Sequence, residues 1–112
     1  MMVLNRGDIC LVDFNPAKGG EMGKLRPAVI MSDSKMNHVF TTVIVVPLSS
    51  LLVDDAEPYR YRVEARGELE RSSDACVYEI RALAKKRVKK KLGALESEEL
   101  KALQHALCRI IQ

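Results

Sequence analysis

Only one stretch of this chain, residues 97–111, sustains a long helical period. Leu100, Leu103, Leu107, Ile110 and Ile111 recur there at helical spacing and make one apolar face. Ser97 reads as the N-cap. Glu98 and Glu99 stand in the first turn and Arg109 near the last, each where the helix dipole favours its charge. The apolar runs before Gly93 are of strand length and are broken by Pro and Gly. A chain with one terminal amphipathic helix and short apolar runs ahead of it is confined to a small sheet that the helix covers.

The runs are read as follows. Residues 9–14 alternate and are β-rich, and residues 27–31 (PAVIM) form a short buried strand. Residues 41–46 (TTVIVV) give the strongest strand signal, with Pro47 ending it. Residues 59–64 (YRYRVE) place Tyr59, Tyr61 and Val63 on one face and Arg60, Arg62 and Glu64 on the other. Residues 74–80 form a further strand, and residues 81–88 hold a short last one. Residues 33–38 are a turn or a single helical turn. Residues 15–24 and 51–58 are loops, and Gly67 marks a turn. The expectation is a mainly β fold of about five short antiparallel strands with a C-terminal helix. At 112 residues it is one domain over 1–112, with room for one small site.

Charge is uneven. Residues 57–112 carry 13 Lys/Arg against 9 Asp/Glu, while residues 1–56 carry 5 against 6. The excess sits in residues 81–91 (RALAKKRVKKK), with seven cations and no anion. Such a block suits a phosphate-rich partner, or is a solvated basic face. The three cysteines are odd in number and contain no CxxC, so neither a disulfide framework nor a structural zinc site is expected. Cys10 and Cys76 lie in apolar stretches and read as small buried hydrophobes. His38 and His105 sit in no metal or triad pattern. No apolar run approaches the roughly 18 residues of a membrane span. The N-terminus lacks a basic start followed by an apolar core, so a cytoplasmic location is expected.

Three short motifs invite chemistry. Residues 19–24 (GGEMGK) are neither a Walker loop nor GxGxxG, and a strand follows them, which disfavours nucleotide binding of those kinds. The segment is a flap over an extended ligand or a plain hairpin connection. Arg26 precedes Pro27, which restricts it to extended geometry at a sheet edge, where a guanidinium can grip a phosphate. Ser49 and Ser50 end an apolar strand; their hydroxyls suit a phosphate oxygen or the capping of a turn.

The motifs taken in order resemble a known family. Arg6-Gly7-Asp8-Ile9, Val12-Asp13-Phe14-Asn15-Pro16, Lys18-Gly19-Gly20-Glu21, Arg26-Pro27-Ala28-Val29-Ile30 and Val45-Val46-Pro47-Leu48-Ser49-Ser50 closely resemble the MazF/PemK toxin endoribonucleases. The resemblance continues through residues 70–73 (ERSS), Glu79-Ile80-Arg81 and Gly93 into the helix. It implies a compact SH3-like barrel of the CcdB/MazF type, acting as a homodimer on single-stranded RNA, mostly messenger RNA, without metal or cofactor. It also implies a cognate antitoxin protein that covers the RNA groove. By match to the family motifs Arg26 and Ser49 are catalytic, and Gly20, Glu21, Lys24, Ser50 and Glu79 bind substrate. Serine stands at Ser49 where many members have threonine. Cys10 replaces a frequent aromatic, and Tyr78-Glu79 stands where Asp-Gln is common.

The expected reaction uses the nucleophile that RNA carries. A 2′-hydroxyl attacks the adjacent phosphorus, so the aids required are a proton acceptor, a donor to the leaving oxygen and stabilisation of phosphoryl charge. Arg26 supplies the last, Ser49 orients, and Glu21 is the nearest carboxylate in sequence. Two alternatives stay open. One is a CcdB-like toxin that poisons DNA gyrase by binding. The other is a non-catalytic SH3-like module for RNA or protein, although the chain is poor in the aromatics such modules use.

Overall fold

The apolar, β-branched run at 42–49 takes the middle of the sheet. In the computed structural model, which describes residues 2–14 and 24–112, this run is strand β3 (Thr42–Ser49). Strand β2 (Leu25–Ile30) lies antiparallel along one edge of it, pairing Ala28 with Pro47 and Ile30 with Val45. The other edge is shared. Strand β6 (Arg81–Ala84) pairs with Thr42 through Val45, and strand β5 (Ser73–Cys76) with Leu48 and Ser49. Beyond β2 come β1 (Asp8–Asp13) and then β7 (Val88–Ala94); beyond β5 comes β4 (Arg60–Val63). The described residues thus give seven strands in one curled antiparallel sheet, followed by helix α2 (Ser97–Ile111).

Four expectations are corrected. Pro47 does not end its strand, because it falls between the last residue paired to β6 and the first paired to β5. On that edge its missing N–H stands where the partner changes. Residues 74–80 are not a single strand; Ser73–Cys76 pairs, and Val77–Glu79 winds into a 3-10 turn. The stretch 81–88 holds β6 and a second 3-10 turn (Lys85–Arg87), and the last strand runs on from Val88 to Ala94. The N-cap of α2 is Glu96, not Ser97. Its carboxylate accepts from the backbone of Glu99, whose own carboxylate accepts from the Glu96 N–H at 2.8 Å, a reciprocal capping box. The single helical turn is present as α1 (Ser34–Val39), capped by Asp33.

Two apolar clusters back onto the sheet. One joins Ile9, Val29, Val46, Leu48, Val63, Ala75 and Val77 to Leu103 and Ala106 of α2. The other gathers Cys10, Val12, Ala28, Ile30, Val43, Val45 and Leu83. Alternate residues of β1, β2 and β3 feed opposite clusters, which is the period-2 rule applied to strands buried on both sides. Leu103, Leu107 and Ile110 face the first cluster as expected, but Ile111 is exposed. Cys10 and Cys76 are buried, as read from their neighbours, and Cys108 is exposed. Burial, and then the negative charge of Asp8, push the Cys10 thiol up to about 12.

Arg66 fastens α2 to the turn after β4. Its guanidinium makes two parallel bonds to Glu99, one between Nη1 and Oε1 and one between Nη2 and Oε2 at 2.7 Å. The turn depends on Gly67, which has φ +53. The carbonyl of Leu92 accepts from Glu68 N–H at 2.7 Å, and a Cβ on residue 67 would lie 2.5 Å from that oxygen. Gly67→Ala is therefore expected to destabilise the fold by about 2–4 kcal/mol, through left-handed strain and backbone collision together. Urea unfolding checks this; a loss below about 0.5 kcal/mol would show that the turn relaxes freely.

Candidate active site

The β1–β2 hairpin closes where Phe14 N–H donates to Lys24 O at 3.0 Å. Arg26 follows two residues into β2. The β2–β3 ladder ends at Ala28 and Pro47, two residues short of Arg26 and Ser49. On its other side Ser49 is paired with Asp74 of β5, and Asp74 in turn with Arg62 of β4. One row across three strands therefore reads Ser49, Asp74, Arg62.

Arg26 and Ser49 line an open groove of about 740 Å³ together with Lys24, Ser50, Arg71 and Lys90. Of the expected site residues, the structure brings together Lys24, Arg26, Ser49 and Ser50. Glu79 is exposed on the 3-10 turn and does not line the groove. Its charge instead reaches the thiol of Cys76, whose pKa is raised mainly by burial; Arg26 and Arg60 act on the same thiol in the opposite sense. Gly20 and Glu21 lie outside the described residues.

The two central side chains are differently prepared. Arg26 is half-buried and has no carboxylate partner among the described residues. Ser49 Oγ accepts from Leu51 N–H at 3.2 Å, and its own O–H has no acceptor among the described residues. A fixed hydroxyl donor and an uncommitted guanidinium on neighbouring strands make a receptor for an anionic, multi-oxygen group.

Sequence reasoning missed Asp74, whose side chain is only 1% exposed. Arg62 Nε donates to its Oδ1 at 2.6 Å, and Val53 N–H and Arg60 Nη1 donate to its Oδ2 at 2.8 and 3.3 Å. Burial alone would raise this carboxyl. The bonds from Arg62, Val53 and Arg60 outweigh it and hold the group below its ordinary value. The alternation in residues 59–64 already placed both arginines on one face; what they meet there depends on a pairing far along the chain.

The basic run is not a uniform patch. Lys90 pairs with Glu68 at 3.2 Å and Lys91 with Asp8 at 3.1 Å. Lys85 Nζ donates to Asn37 O, Arg87 to Asp13 O, and Arg81 lies 5.7 Å from the centre of the Phe14 ring. Among the described residues no group of three or more His, Cys, Asp or Glu side chains is placed to hold a metal ion, and no helix is long and apolar enough to cross a membrane.

A small curled antiparallel sheet with a terminal helix is thus the frame that carries this groove. Residues 5–111 match the family of PemK-like, MazF-like toxins of type II toxin–antitoxin systems, and the chain belongs to that family. It is 31% identical over 106 residues to Endoribonuclease MazF of Staphylococcus saprophyticus, covering 94% of this chain and 88% of that protein. Its fold matches MazF in a MazE–MazF crystal structure from Deinococcus radiodurans (TM-score 0.82, 20% identity, 99% and 97% of the two chains). It also matches the Mycobacterium tuberculosis toxin MazF-mt6 (TM-score 0.77, 18% identity, 93% and 95%).

Both Asp74 and Glu99 have their pKa lowered in the folded chain, Glu99 chiefly by Arg66. The unfolded chain then binds more protons as pH falls through the ordinary carboxylate range of about 4. Stability from these groups is expected to be complete above about pH 5 and to be lost as pH falls through their folded values. Unfolding midpoints between pH 7 and 2.5 check this: Glu99→Gln should flatten the acid limb, and an unchanged limb would remove Glu99 from it.

Proposed function

We propose that this chain is the toxin of a type II toxin–antitoxin pair and acts as a metal-independent, sequence-specific endoribonuclease on single-stranded RNA, messenger RNA foremost. The observation that carries the reading is that Arg26, with no carboxylate partner among the described residues, lines one groove with Ser49, Lys24, Arg71 and Lys90. Kinship with a protein named as an endoribonuclease supports it. The groove-lining residues include no aromatic, which disfavours an SH3-like peptide module.

The chemistry follows from the side chains. A scissile phosphate in the groove places its non-bridging oxygens against the Arg26 fork, which stabilises the charge that grows as the 2′-oxygen bonds to phosphorus. Ser49 donates its free O–H to the phosphoryl group while the Leu51 N–H holds its oxygen in place. The P–O5′ bond breaks, leaving a 2′,3′-cyclic phosphate and a 5′-hydroxyl. Asp74 already accepts from three donors and is below its ordinary pKa, so it is not the proton acceptor. Lys24 and Ser50 contact the adjoining backbone. Gly20, Glu21 and Glu79 belong to the substrate-binding periphery by match to the family. A cognate antitoxin protein, competing for the groove, keeps the enzyme silent in the cytoplasm.

The protein should cleave a long single-stranded RNA in the presence of EDTA, and Arg26→Ala should lower the rate at least about a hundredfold, the scale of one lost transition-state contact. A correctly folded Arg26→Ala variant with near-normal activity would remove Arg26 from the mechanism. We further propose a homodimer, since one chain of 112 residues offers a short groove and two copies a longer one. Sedimentation should give about twice 12.5 kDa at micromolar concentration; a fully active monomer would refute it.

A further inference from the structure

The segment that leaves the site is tied down by three side chains from two other strands. After Ser49 and Ser50 the chain runs through Leu51, Leu52 and Val53 to Asp54. Leu51 is 74% exposed, and Leu52 and Val53 are 44% exposed, so apolar packing gives this segment little hold. Polar bonds supply it. Asp74 takes the Val53 N–H at 2.8 Å. Arg60 Nη1 donates to Leu51 O at 2.9 Å. Arg62 Nη2 donates to Asp54 Oδ1 at 3.0 Å and to Val53 O at 3.4 Å. Asp74 also bonds both arginines, so one carboxylate fixes the two guanidiniums that fix the loop.

This clamp touches the hydroxyl at one remove. Ser49 Oγ accepts from Leu51 N–H, and Leu51 is the residue whose carbonyl Arg60 holds. Ser49 is also the strand partner of Asp74. A buried carboxylate left with one partner missing would be costly, and all three of its donors are in place. Such a network is expensive to build for stability alone, and apolar groups of similar shape serve stability as well. Its bonds instead hold the Leu51 carbonyl and the Val53 N–H, and so restrain the backbone of the residue whose N–H faces Ser49 Oγ.

We propose that Asp74, with Arg60 and Arg62, is a positioning residue for RNA cleavage: it immobilises the 51–54 segment so that Ser49 holds its hydroxyl toward the scissile phosphate in the groove it shares with Arg26. The inference rests on the endoribonuclease reading above. It sets Asp74 apart from the acid–base chemistry, despite its place beside Ser49, and gives Arg60 and Arg62 a role other than gripping RNA.

The test is single-turnover cleavage of an RNA oligonucleotide by the wild type, Asp74→Asn, Arg62→Gln and Leu103→Ala, each confirmed as folded by circular dichroism. Leu103→Ala opens a cavity under α2, outside the clamp, and reports what loss of stability alone does. Asp74→Asn and Arg62→Gln should slow the saturated rate about 10- to 100-fold, the scale of a catalytic group displaced by about an ångström. Half-saturating RNA should change by less than about threefold, because no group that touches RNA is lost. Leu103→Ala should keep nearly the wild-type rate. Amide exchange at Val53 should quicken at least about tenfold in Asp74→Asn. Arg62→Gln keeps the test open if Asp74→Asn does not fold. Wild-type rates in the folded clamp variants, a fall in RNA affinity alone, or an equal rate loss in Leu103→Ala would each overturn the inference. A wild type that does not cleave RNA would instead remove the functional reading beneath it.

Discussion

Strand β3 has two edges and three partners, and most of the molecule follows from how they are shared. Along one edge it is paired to β2; along the other, β6 holds its first half and β5 its end. The change of partner occurs at the residue that has no N–H to give, Pro47. Because the sheet parts there, β6 turns toward the cluster around Val12 and Val43, while β5 and β4 join the cluster that α2 covers. The end of β3 stays paired to β5, and Ser49 lines the groove there. A glycine or a β-branched residue at position 47 would not mark that junction in the same way.

Charge is organised around the same place. Five cations near the sheet are committed to carboxylates: Arg60 and Arg62 to Asp74, Arg66 to Glu99, Lys91 to Asp8, Lys90 to Glu68. Arg26 is half-buried and has no carboxylate among the described residues, so within them an incoming anion meets no acid that it must displace. A neighbouring acid would have to be displaced by substrate, at a cost of several kcal/mol for a desolvated pair. Asp74 is the strand partner of Ser49, and its commitment to the β4 arginines keeps it from neutralising Arg26.

What the sequence made legible, and what it did not, divides along the range of the interactions. The helix at 97–111, the β3 core, the burial of Cys10 and Cys76, and the face shared by Arg60 and Arg62 all come from local period, and all are present. Ordered short motifs placed Arg26 and Ser49 at one groove. The errors came where distant pairing decides. Pro47 ends an isolated strand but not one whose neighbour changes at that point. Residues 77–79 look extended by composition yet wind into a turn that leads β5 on to β6. Ser97 is the better N-cap by type, but Glu96 forms the reciprocal box with Glu99, which Arg66 also holds from across the fold. Residues 81–91 read as one basic block because the acids that pair two of its seven cations, Glu68 for Lys90 and Asp8 for Lys91, lie elsewhere in the chain.

Under the proposed function this groove has to hold a single strand. Stacking on aromatic faces is the usual sequence-tolerant source of single-strand affinity. The residues lining this groove offer none; they offer Leu11, Leu48, Leu69 and Leu92 beneath a rim of Lys24, Arg26, Arg71 and Lys90. Grip must then come chiefly from backbone phosphates at the rim, which is long-ranged, salt-sensitive and blind to base identity. The polar groups lining it also include Ser50, Glu68 and Glu70, while Ser73 is buried and donates its hydroxyl to Arg71 O. Glu68 is paired with Lys90. Under the proposed function a phosphate reaching Lys90 would compete with Glu68 for its ammonium, so one exposed ion pair sets how strongly this part of the rim attracts an anion.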